Sequence, residues 1–265
     1  MEPRLVRRDF VPVDTPCARL ASDGRTHTVR SGKAWIIEKN GVERPYGPAC
    51  AAEIMGGAFA AARRMAPDLT THDLMKDEGG GEGGAGGSDG GGRGERDGEL
   101  HRHALAAAYL TLRNTALASV PEINPAVNNY DQLVALHSSY QAKHALTSDE
   151  VDAVLRIEDA AQNKAYVFCR RNLMTVYAAY HQLQRLRKKA RREIGSIEQK
   201  PWKNQEAQKA RVERLEGNIA RIDSVCSQLL KKLYISDAQV KMVGLELPVD
   251  AFPPDRCNPP KRPAT

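Results

Sequence analysis

The chain has 265 residues, enough for one or two ordinary domains, with 41% apolar and only 5% aromatic side chains. That balance speaks against a thick-cored enzyme and for a helical, surface-rich protein. A net charge of +6 is modest, so the placement of the charges matters more than their sum.

The opening segment, MEPRLVRRDFVPV, contains no apolar run of signal-peptide length. No stretch of the chain approaches the roughly 18 apolar residues that cross a bilayer, so no membrane partner is expected. Cys17, Cys50, Cys169, Cys226 and Cys257 are odd in number and widely scattered. They read as reduced thiols of a cytoplasmic protein rather than a disulfide framework.

Residues 1–78 read as a small ββα module. RTHTVR (25–30) and KAWIIE (33–38) are β-branched runs separated by Ser31-Gly32, which predicts a hairpin. Asn40-Gly41 tolerates the positive φ angles of a tight turn and leads into VERPY. Pro48 suits the first turn of a helix running to Met65, weakened at Gly56-Gly57 unless those glycines pack closely on the hairpin. Trp35, Ile36 and Ile37 supply much of the small core. So small a module buries too little surface to stand alone and is expected to dock on the rest.

Residues 79–98 hold the run GGGEGGAGGSDGGGRGERDG. With almost nothing to bury and a large ordering entropy, this predicts a disordered, flexible tether. No apolar strand leads into it and no Gly-Lys-Ser/Thr follows, so it is not a phosphate-cradling loop.

Residues 99–247 read as a helical, coiled-coil-rich domain. One helix covers about 100–118 and stops before Pro121; a second reaches Leu146. Thr147 and Glu150 then have the spacing of a capping box. The helix it starts is expected to be very long, because Ala161, Ala165, Phe168, Leu173, Val176, Tyr180, Leu183, Leu186, Ala190, Ile194 and Ile197 keep a helical period. Pro201 breaks it. In the last helix Val212, Leu215, Ile219, Ile222, Cys226, Leu229 and Leu233 form an unbroken heptad stripe. The two helices are expected to fold back as an antiparallel coiled-coil hairpin; a parallel homodimer through the stripe is the competing arrangement. The Pro-rich tail, 248–265, is expected to be extended and disordered. Its Pro260-Lys261-Arg262-Pro263 formally matches a PxxP ligand.

Cys17 before a hairpin, and Tyr46-Gly47-Pro48-Ala49-Cys50-Ala51 opening a helix, resemble a treble-clef zinc module over residues 17–65. The resemblance implies zinc at Cys17 and Cys50, with His27 and His72 as possible supplements; no other cofactor is expected. The pattern departs from the family, since neither cysteine has a partner at CxxC spacing. A thiol or zinc enzyme at the same pair, with His27 or His72 as base, is a third-ranked reading, because no orienting carboxylate stands at a telling spacing.

The remaining histidines, His101, His103, His137 and His144, lack ligand spacing, and His137 with Tyr140 is expected at a helix interface. Cys169 and Cys226 read as small hydrophobes.

That leaves the basic cluster. On a helical wheel, Arg185, Arg187, Lys188, Lys189, Arg191 and Arg192 lie away from the apolar face, as on any amphipathic helix. From Gln184 to Arg221, however, twelve basic residues meet only five acids, and Lys203, Lys209, Arg211 and Arg214 extend the excess past the turn. Such a tip, with Trp202 at its turn, suits a polyanion. No base-reading motif is present. The expected function is therefore a non-enzymatic accessory role, binding nucleic acid without sequence preference or an acidic protein. A coiled-coil scaffold touching only proteins is the alternative. Whether Glu206, Glu213 and Glu216 fold back to neutralise the tip decides between an open and a silent surface.

Overall fold

A computed structural model describes residues 2–12, 14–21, 24–70, 93–164, 166–199 and 201–247. The expected tether (through residue 92), the Pro-rich tail with its PxxP motif, His72 and Cys257 lie outside the described residues. Among those described, five short strands form an N-terminal module and helices make up the rest.

The strands are β1 (Arg4–Phe10), β2 (Pro16–Leu20), β3 (Thr26–Thr28), β4 (Lys33–Lys39) and β5 (Val42–Tyr46). The Asn40-Gly41 turn joins β4 to β5 with both φ angles positive, 55° and 75°, as a tight hairpin requires. The other expected hairpin is not formed. β4 pairs antiparallel with β1, giving the order β1-β4-β5, and β3 pairs with β2 in a separate two-stranded sheet. The buried run Trp35-Ile36-Ile37 gives β4 apolar surface on both faces, so it takes the central place between two partners. β1 went unnoticed in the sequence because its charges outnumber its apolar positions. Only Leu5 and Asp9 of this strand are buried.

Helices α1 (Pro48–Met55) and α2 (Phe59–Met65) replace the single expected helix, broken by a 3-10 turn at Gly56 with φ of 56°. A Cβ at Gly56 or Gly57 would meet nothing within 4 Å, so these glycines allow a bend rather than close packing. Phe59 meets Trp35 edge-on at 5.5 Å and closes the small core.

The helical part contains α3 (Arg93–Thr111), α4 (Asp131–Lys143), α5 (Ser148–Lys164), α6 (Arg170–Glu198), α7 (Gln205–Lys232) and α8 (Asp237–Val243). α3 begins inside the expected tether and ends in a π-helical turn, Leu112–Leu117. The capping box forms: Thr147 N donates to Glu150 at 2.8 Å, and Glu150 N donates to Thr147 Oγ1 at 3.3 Å. The expected very long helix is interrupted by a 3-10 turn at Tyr166–Phe168, so α5 and α6 are separate helices. Tyr109 on α3 donates to the Phe168 carbonyl at 2.8 Å, and Asn172 donates to Val167 O at 2.8 Å. These side chains satisfy carbonyls that a continuous helix would have paired internally.

α6 and α7 form the expected antiparallel hairpin. Contacts run from Asn172 with Leu233 O, through Gln184 with Cys226 and Arg187 with Asp223, to Ile197 O with Gln208 near the turn. One large core spans α3 to α8.

The module docks on this core, as its size predicts. Leu69 enters the helical core through a parallel bridge beside Arg8, and Phe10 stacks on His181 of α6 at 5.1 Å. Tyr177 Oη donates to the buried Asp9 carboxylate at 2.8 Å, and Arg7 pairs with the same group at 2.9 Å. No helix among the described residues is long and apolar enough to cross a membrane.

Candidate nucleic-acid interface and candidate metal centre

The heptad stripe is consumed within the chain. Ile222, Cys226, Leu229 and Leu233 are buried against α6, whereas Val212, Leu215 and Ile219, nearer the turn, are half-buried. On α6 the complementary positions Leu183, Ala190 and Ile197 are buried. The seam that a parallel homodimer would use is thus largely occupied by the chain's own helix.

With the apolar face turned to α7, the charges of α6 point outward. Arg187 is compensated across the hairpin by Asp223 at 3.2 Å, and Arg211 by Glu193 at 2.7 Å. The awaited acids contribute little. Glu213 reaches only its helical neighbour Lys209, at 3.9 Å with both side chains well exposed, and exposed pairs of this kind add almost nothing. Glu206 and Glu216 form no ion pair among the described residues.

The effective neutraliser comes from the N-terminal module and has no signal in the sequence. Asp14, in the loop between β1 and β2, pairs with Arg192 and, at 3.3 Å, with Lys188. Hydrogen bonding from Arg192, foremost, and from Lys188 holds the Asp14 carboxyl below its ordinary range. Arg185 lies over the β3–β4 turn, where a Cβ added at Gly32 would stand 3.3 Å from its Nη1.

Arg185, Lys189, Arg191, Lys203 and Arg214 are exposed and meet no carboxylate among the described residues. Trp202 is half-buried at the turn. The structure therefore divides the ten expected binding residues into a neutralised set and an open set.

The second cluster is in the module. β2 brings in Cys17, β3 brings in His27, and the first turn of α1 brings in Cys50; their ligand atoms all lie within 4.8 Å of one another. His27 Nε2 stands 3.2 Å from Cys50 Sγ. Two thiols and an imidazole are a donor set that suits zinc. The group is nevertheless a set of three, and no fourth His, Cys, Asp or Glu joins it among the described residues.

As a nucleophile Cys50 is poorly placed. Burial, and then the neighbouring Cys17, push its thiol up, away from the reactive thiolate. His27 Nδ1 is buried without a hydrogen-bond partner, so nothing orients that ring as a base.

Elsewhere, His137 is buried at the α3–α4 interface with its Nε2 3.0 Å from Thr115 Oγ1, as expected of a structural histidine. Cys169 and Cys226 are free and buried. The chain matches no protein-family model, no curated protein and no solved structure.

Proposed function

We propose that this chain is a non-enzymatic accessory protein that binds nucleic acid through phosphate contacts, without reading base sequence, on the outer face of α6 and the adjoining hairpin tip. The observation that carries the reading is the set of exposed side chains Arg185, Lys189, Arg191, Lys203 and Arg214, which meet no carboxylate among the described residues, on one helical hairpin. Four of the five stand on helices and Lys203 in the turn between them, and each phosphate they neutralise releases counterions.

The test is binding of duplex DNA, duplex RNA and single strands between about 50 and 200 mM salt. With three to five phosphate contacts, log K against log salt should fall with a slope of about −2.7 to −4.5 on duplex DNA. Absence of binding at the lowest salt, or a flat slope, sinks the proposal.

We further infer that the Cys17–His27–Cys50 cluster holds zinc in a structural role, tying β2, β3 and α1 together where the module's own core is small. What supports it is the convergence of three soft ligands from three separate elements. Protein purified without chelators should contain close to stoichiometric zinc, lost on Cys17→Ser with Cys50→Ser. Metal-free protein whose melting is unchanged by added zinc would contradict this second reading.

A further inference from the structure

The π-helical turn at the end of α3 carries a buried arginine that none of the preceding argument uses. Arg113 is only 4% exposed. Its guanidinium donates from Nε to the Val127 carbonyl at 2.6 Å, from Nη1 to Tyr109 Oη at 3.0 Å and from Nη2 to the Ala126 carbonyl at 3.3 Å. It also lies over the rings of Phe168, at 5.3 Å, and Tyr109, at 5.6 Å.

Dipoles and ring faces soften the burial of this charge, yet no carboxylate pairs with it among the described residues. Glu158, the nearby acid on α5, is engaged by Arg170 at 3.2 Å. A buried cation without a counter-ion is costly, and structures that keep one usually meet it with an anion. A guanidinium has five N–H groups, and one on each of Nη1 and Nη2 has no protein acceptor among the described residues.

The same side chain lines a cavity of about 610 Å³, within the range of small-molecule sites. Ile157, Ala161 and Phe168 supply an apolar wall, and Arg156 adds a second positive charge. Among the described residues, no acidic one lines it. π-turns within α-helices often mark functional sites, and this one sets Arg113 at the cavity wall.

We propose that this cavity binds a small organic carboxylate, its two oxygens on the free N–H groups of Arg113 and its apolar body along Ile157, Ala161 and Phe168. A guanidinium with an unused N–H on each terminal nitrogen can meet the two oxygens of a carboxylate. Inorganic phosphate has no apolar body to lie along Ile157, Ala161 and Phe168. The site is separate from the basic face of α6 and stands or falls independently of nucleic-acid binding.

The test is titration of the intact protein with 3-phenylpropanoate and octanoate, followed by amide NMR, with 3-phenylpropanamide and inorganic phosphate as comparisons. Saturable binding at about 1 mM or tighter is expected for a carboxylate. The neutral amide, lacking the charge-assisted pair, should be about tenfold weaker or more. Shifts should centre on residues 113, 157 and 161.

Arg113→Met would also free the Val127 and Ala126 carbonyls, so two other variants carry the test. Ala161→Trp covers the apolar wall of the cavity from a partly buried helical position and should abolish binding while the protein stays folded. Arg156→Gln should weaken binding severalfold. No saturable binding of either carboxylate, equal affinity for the amide, phosphate binding as tightly as the carboxylates, or full binding by Ala161→Trp would each overturn the proposal.

Discussion

Along α6, every position from Asn172 to Ala179 is buried, whereas beyond Gln184 burial returns only at Ala190 and Ile197. Both halves keep the same helical period. They differ in what surrounds them: the first half passes between the end of α3, the module's β1 strand and α7, while the second packs on α7 and meets the module only through Asp14 and the Gly32 turn. A shared amphipathic pattern thus leads to two fates. In the first half polar side chains are spent inside, as Asn172 bonding Leu233 O and Tyr177 bonding Asp9 illustrate. In the second half Arg187, Lys188 and Arg192 are paired at the surface, while Arg185, Lys189 and Arg191 stay exposed.

The contrast can be broken by substitution. Leu173→Ala, at a fully buried site, should cost about 2–5 kcal/mol in chemical denaturation, according to how far the cavity collapses. A loss below about 0.5 kcal/mol, the level of an ordinary surface change, would contradict all-round burial of this half.

Next comes pH. His181 stacks on Phe10 and touches Tyr177 and Tyr180, and burial pulls its pKa down to about 4. The unfolded chain takes up that proton near pH 6.5, so the stability contributed by neutral His181 is complete above that pH. It is lost progressively as pH falls towards about 4, by up to roughly 3 kcal/mol. His181→Gln should flatten that dependence between those limits; an identical acid profile in the variant would contradict it.

Tyr177→Phe removes one hydrogen bond to the buried Asp9 and should cost about 1–3 kcal/mol in the same assay. Because Arg7 still pairs with Asp9, values near the lower end are expected.

Arg191→Ala, in the open half, should change stability by less than about 0.5 kcal/mol.

How much of this was legible follows from the kind of signal each feature leaves. Local signals carried through: the Asn40-Gly41 turn and the Thr147–Glu150 capping box each specify their structure within a few residues. The partner of a strand does not. β1 is mostly charged and pairs across some thirty residues with β4, so nothing local marks it as the strand that takes the place of β3 beside β4. The break between α5 and α6 is masked because the mean apolar period runs through it, its one mark being the five-residue step from Phe168 to Leu173. It becomes visible through the side chains of Tyr109 and Asn172, which supply the lost backbone bonds.

The candidate sites divide in the same way. Cys17 and Cys50 were evident as a pair, and His27 as one possible supplement. Only the fold of β2 and β3 makes His27 the third member. Asp14, which neutralises half-exposed charge on α6 from far along the chain, had no periodic or spacing signal at all. That pairing also changes which residues make a clean test, since reversing Lys188 or Arg192 would loosen the docked module as well as the basic face.

The most direct measurement of the central claim is therefore the salt dependence of duplex binding by the wild type and by a Lys189→Glu, Arg191→Glu, Lys203→Glu variant with unchanged helicity. The account predicts weaker binding and a log–log slope shallower by about one for each phosphate contact removed. An unchanged slope and affinity would place any binding elsewhere on the molecule and contradict the claim.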